Sequence, residues 1–172
     1  VATPRDWNEE APLVVLGMGN LIYSDDGAGL EALNRLGRHP RLPEGVELID
    51  GSLGGLEAAA RISRTSRLLI FDAVDVAANP GTVIRMTGDE LAGLPGGAVV
   101  HRLGVPDLLS VLRLAGWMPS QVLLLGVQPE SVRLGTGLSP AVDAGVERMV
   151  AAGVDQLARW ARELEGPGTE KA

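Results

Sequence analysis

The stretch Leu13-Val-Val-Leu-Gly-Met-Gly-Asn20, continued by Leu21-Ile-Tyr-Ser-Asp-Asp-Gly-Ala-Gly-Leu30, restricts the fold more than any other part of the chain. A short apolar run breaks at Gly17 and Gly19, and an amphipathic segment begins near Asp25. That order spells a buried strand, a tight glycine turn and a helix. In a parallel α/β sheet such a turn lies at the carboxyl edge, where these folds keep their sites. The turn is not a phosphate loop. A dinucleotide fingerprint needs a third glycine three residues after the second, and Ile22 stands there. No Gly-Lys-Ser/Thr follows, and Asp25 and Asp26 would repel an anion at the helix start. Read structurally, Asp25 caps the helix and Asp26 complements its dipole. Read chemically, the pair suits a cation.

The rest of the chain repeats this alternation. Residues 1–12 have no periodicity and are expected to form a loose arm. Strand one is Leu13–Leu16, and helix one runs from about Asp26 to Leu36, where Gly37 ends it. Strand two, Val46–Asp50, leads through Gly51-Ser-Leu-Gly-Gly55 into a helix over Leu56–Ile62. Strand three, Leu68–Asp72, is an apolar run closed by an acid, as in a strand buried on both faces. The linker from there to strand four, Thr82–Met86, is shorter than the roughly dozen residues a parallel crossover needs, so strand four is antiparallel. A glycine-rich excursion over residues 88–100 leads to His101 and a helix over Val105–Leu114. Strand five is Gln121–Val127, a long helix covers about Pro140 to Leu164, and residues 166–172 should fray. The expectation is an α/β fold of one domain over residues 1–172. It is a three-layer α/β/α sandwich on a mostly parallel five-stranded sheet with one antiparallel strand.

Bulk properties narrow the function. A chain of 172 residues, 45% hydrophobic, can bury a core of its own. No apolar run approaches the roughly 18 residues of a spanning helix, so membrane insertion is not expected. Nothing at the start of the chain resembles a signal peptide, and a cytoplasmic location is the simplest expectation. With no cysteine there is no zinc–thiolate site and no cysteine nucleophile. A net charge of −7 argues against a nucleic-acid surface.

Topology then gathers side chains. Strands one, two and three finish at one edge, which puts Asn20, Asp25, Asp26, Asp50 and Asp72 there. If strand five is parallel to them, the helix before it starts at the same edge and His101 arrives with it. His39, after helix one, falls at the opposite edge. Asp26, Asp72 and His101 form a mixed oxygen/nitrogen set suited to a borderline divalent metal such as nickel or zinc. Open coordination positions would admit substrate or water. Asn20, Asp25 and Asp50 stand in supporting positions behind them. Each residue also has a plain alternative: Asp72 capping a turn, His101 bonded to backbone at a helix entry, Asp50 serving the glycine turn after it. A Gly-x-Ser-x-Gly elbow, a His-Glu-x-x-His helix and the Asp-Thr/Ser-Gly signature of paired-aspartate proteases are all missing from the sequence.

Five blocks in order carry a resemblance. They are Gly17-Met-Gly-Asn-Leu-Ile-Tyr-Ser-Asp-Asp-Gly-Ala-Gly29, Glu47-Leu-Ile-Asp-Gly51, Ile70-Phe-Asp-Ala73 and His101-Arg-Leu-Gly-Val-Pro-Asp-Leu-Leu109. The fifth is Gly126-Val-Gln-Pro-Glu-Ser131 with Gly137-Leu-Ser-Pro140. Over residues 13–150 the chain resembles the hydrogenase maturation endopeptidases. The resemblance implies a peptidase that removes a C-terminal extension from the precursor of a nickel–iron hydrogenase large subunit after nickel insertion. It implies recognition of that nickel, carried by the substrate, through two carboxylates and a histidine, here Asp26, Asp72 and His101. It also implies the same mostly parallel five-stranded sheet. The chain departs from the family in having Asp26 where many relatives have Glu, and Leu53 where a threonine is usual. The other class of function compatible with these residues is a non-catalytic α/β ligand-binding or regulatory domain, its acidic rim serving only to cap helices.

Overall fold

The computed structural model describes residues 12–53, 55–63, 65–92 and 104–165. The apolar run at the start of the chain becomes β1 (Leu13–Gly17), buried at every position. It lies inside a five-stranded sheet with β2 (Glu47–Asp50), β3 (Arg67–Ala73), β4 (Val83–Thr87) and β5 (Gln121–Val127), in the order β2-β1-β3-β5-β4. β1 pairs in parallel with β2 and β3, and β3 with β5. β4 runs antiparallel to β5, as its short linker requires.

Alternation along the strands divides the core in two. Val15, Leu69, Phe71 and Leu125 meet α1 (Ala28–Gly37) and α5 (Pro140–Glu165) on one face. Val14, Leu16, Ile70 and Leu124 meet α2 (Gly55–Ile62) and α4 (Val105–Leu114) on the other. The result is a three-layer α/β/α sandwich. Arg35 bridges the two helices of the first layer, holding Glu31 at 2.8 Å, Asp143 at 2.5 Å and Glu147 at 2.5 Å. Among the described residues no helix is long and apolar enough to cross a membrane.

Two local expectations are corrected. Helix one does not begin at Asp26: Ser24–Gly27 form a separate 3-10 turn, and α1 starts at Ala28. The turn is entered through Ser24, whose φ of 49 is left-handed. The excursion after β4 is not irregular throughout, because Gly88–Ala92 form a short helix, α3. The rest of that excursion, His101, most of the expected N-terminal arm and the expected C-terminal tail lie outside the described residues.

One glycine fixes how α1 seats on the sheet. A Cβ on Gly29 would run into the carbonyl oxygens of Met18 and Phe71, which belong to backbone and cannot swing away. Gly29→Ala is therefore expected to cost about 1–3 kcal/mol, the usual range for overpacking. Urea unfolding measures it, and a variant as stable as the wild type would mean that α1 can lift off the strand ends freely.

Candidate active site

The strand order reverses direction at β1, since β2 lies to one side of it and β3 to the other. Doubly wound sheets keep their crevice beyond the carboxyl ends of such a pair. Here the crevice is walled by the loop after β1 and the end of β3. Met18 N–H donates to the Phe71 carbonyl at 2.8 Å, carrying the β1–β3 ladder one residue past β1. The next residue on β3 is Asp72, in register with Gly126 of β5. Its Oδ1 accepts the N–H of Ala73 at 2.8 Å, and the side chain is fully buried.

The loop after β1 folds back to bring Asp26 to the same corner. Gly19 has φ 128, and a Cβ there would overlap the Asp26 carbonyl oxygen, so only glycine fits. Asn20 N–H donates to that carbonyl at 3.3 Å, and Asp26 N–H donates to Tyr23 O at 3.1 Å. The 3-10 turn packs against β3, with Asp26 only 2% exposed. Two carboxylates thus arrive at one corner of the carboxyl edge from two different elements. Among the described residues no three His, Cys, Asp or Glu side chains group closely enough to hold a metal ion.

Asp25 has a different job from the helix cap that sequence suggests. The 3-10 turn has no side-chain cap. Asp25 instead turns away from its own helix, fully buried. Its Oδ2 accepts the N–H groups of Glu130 at 2.9 Å and Ser131 at 3.0 Å, and the Ser139 hydroxyl at 3.0 Å. Its Oδ1 accepts Ser139 N–H at 2.6 Å. The carboxylate clamps the β5–α5 connection to the loop after β1. Backbone bonds reinforce it: Ser24 N–H to Gly135 O and Gly135 N–H to Ile22 O, both at 2.9 Å.

Gln128, just past β5, ties down the segment after β3. Its Oε1 accepts Val76 N–H at 2.9 Å and Ala78 N–H at 3.1 Å. Its amide donates to Asp75 Oδ1 at 3.0 Å and Pro129 O at 3.3 Å. The Asp75 carboxyl is held below the usual carboxylate range by the Ala77 N–H and then by this amide.

Asn20 and Asp50 serve turns. Asn20 is exposed and accepts Ile22 N–H on Oδ1 at 3.2 Å. Asp50, in register with Gly17, accepts Ser52 N–H at 2.8 Å and lines a cavity beside α1. His101 lies outside the described residues, three positions ahead of Gly104, the residue that caps α4. Sequence reasoning missed the parts played by Ser139 and Gln128. Both lie inside quoted blocks, but apart from Pro129 their partners are 50 or more residues away along the chain.

Comparison with known proteins converges on one family. Residues 30–156 match the family model described as hydrogenase maturation protease. The chain is 32% identical to a hydrogenase expression/formation protein of Rhodobacter capsulatus, over 88% of this chain and 74% of the relative. It is 35% identical to the hydrogenase 2 maturation protease of Escherichia coli, over 78% of this chain and 84% of that one. Among solved structures it is similar to the hydrogenase maturating endopeptidase HybD from E. coli, with TM-score 0.78 and 32% identity. That match covers 86% of this chain and 92% of the other.

Proposed function

The chain belongs to the hydrogenase maturation protease family, and from that premise we propose how it processes its substrate. The protein is an endopeptidase of hydrogenase large-subunit processing. The substrate proposed here is the precursor of a nickel–iron enzyme, carrying its C-terminal extension and already loaded with nickel. The cytoplasm is the compartment, since the reactants meet where the precursor is synthesised. The observation that carries this reading is the arrival of Asp26, from the turn after β1, and Asp72, from the end of β3, at one corner of the carboxyl edge beside the switch point.

Asp26 and Asp72 offer oxygen donors and His101 a nitrogen, a set that suits a borderline divalent ion by charge and donor type. Docked there, the nickel of the substrate acts as a Lewis acid beside the scissile peptide. The carboxylates orient it and fix which peptide bond is presented. Water adds to the carbonyl carbon, the C–N bond breaks, and the proton lost by water goes to the departing amine. Both oxygens of Asp25 are engaged by the 130–139 connection, which holds the loop carrying Asp26 in place. Family membership disfavours the non-catalytic alternative.

The test compares nickel-loaded and nickel-free precursor, each incubated with wild type and with His101→Ala. The expected result is cleavage of the loaded precursor alone, slowed by about 100-fold or more in the variant. Equal cleavage of both precursors would refute recognition through nickel. Unimpaired cleavage by the variant would remove His101 from the set.

A further inference from the structure

β2 stands at the edge of the sheet, and among the described residues β1 is its sole ladder partner. An edge strand offers unpaired N–H and C=O groups to another extended chain, and proteins ordinarily cover or blunt such an edge. Here it is left beside a groove of about 520 Å³ between β2 and α1. Leu30, Leu33 and Leu48 give the groove an apolar lining, joined by Asn34, Asp50 and Leu21. One end of it lies at the carboxyl edge. Asp50 is in register with Gly17, and Leu21 belongs to the loop that carries Asp26.

We propose that this groove is a peptide subsite, in which an extended segment of the precursor flanking the scissile bond adds as a sixth strand on β2. The proposal rests on the protease reading above, and it commits to the precursor because the groove is continuous with the proposed cleavage corner. Leu48 and Asp50 point to the α1 side of the sheet, whereas Ile49 packs on the α2 side. An added strand would follow the same alternation and drop every second side chain onto the leucine lining. Geometry sets the distance to the cleavage point. Strands lie about 4.8 Å apart, so the added strand is about 10 Å from β1 and about 14 Å from β3. At about 3.3–3.6 Å per residue, some four extended residues bridge that gap. The four residues of β2 can pair with about four more. The subsite therefore reads side chains about four to eight positions from the scissile bond, and extended substrate of that length is needed to use it.

Two measurements test this with the full protein and the large-subunit precursor of the same genome, nickel-loaded. The first follows amide hydrogen exchange in Asp72→Asn, which holds the complex uncleaved. Expected is at least 10-fold slowed exchange across residues 47–50 on adding precursor; unchanged exchange there, with binding confirmed by gel filtration, overturns the proposal. The second uses Asn34→Arg, an exposed helix position where arginine would reach into the groove without disturbing the fold. Expected is KM raised about 10-fold with kcat held within about 2-fold, and unaltered KM overturns the proposal. If wild type fails to cleave the loaded precursor, the protease reading fails instead, and the exchange measurement still decides whether the edge is occupied.

Discussion

Asp72→Asn is expected to slow processing of the nickel-loaded precursor by about 100- to 10,000-fold, the usual span for removing a group that acts directly in the chemistry. The substitution keeps size and shape, and the asparagine oxygen can still accept the N–H of Ala73. What disappears is a negative charge, buried at the end of β3. Stability should hold or rise, because enzymes commonly sacrifice some of it at such positions. Single-turnover cleavage and a thermal melt on the same preparation read the two effects. Cleavage within a few-fold of wild type would show that Asp72 only terminates its strand.

Asp25, next to Asp26 in the chain, should behave in the opposite way. Asp25→Ala is expected to destabilise the fold by about 3–5 kcal/mol, the scale of breaking a buried charge-assisted network. Three backbone N–H groups, of Glu130, Ser131 and Ser139, lose their acceptor together with the Ser139 hydroxyl. Urea denaturation measures the loss. A cost below about 1 kcal/mol would mean that the backbone bonds between residues 22–24 and Gly135 hold the connection unaided. Experiment should thus separate these aspartates: Asp25→Ala reads as lost stability, Asp72→Asn as lost turnover.

The contrast also says what a sequence can reveal. The sheet was legible because β1, β3 and β5 are apolar on both faces and flanked by breakers, and because the linker before β4 is too short for a crossover. Strand ends then placed Asp26 and Asp72 at a common edge. The capping reading of Asp25 fails because its acceptor bonds reach 105 to 114 residues along the chain, a separation at which no local pattern exists. Next to a helix start, capping was the nearest explanation. The short α3 was hidden for another reason: five residues opening on Gly88 cannot display a helical period. The 3-10 turn before α1 has no hydrophobic rhythm of its own, which shifted the helix start by two residues.

The clamp on Asp25 carries a consequence for the order of events on the ribosome. Translation delivers Asp25 early and its partners, residues 130–139, more than a hundred peptide bonds later. Until that connection emerges, the loop holding Asp26 lacks the clamp that Asp25 makes with it. Domains fold as units during synthesis, so a nascent chain that has not yet exposed residues 130–139 should stay inert.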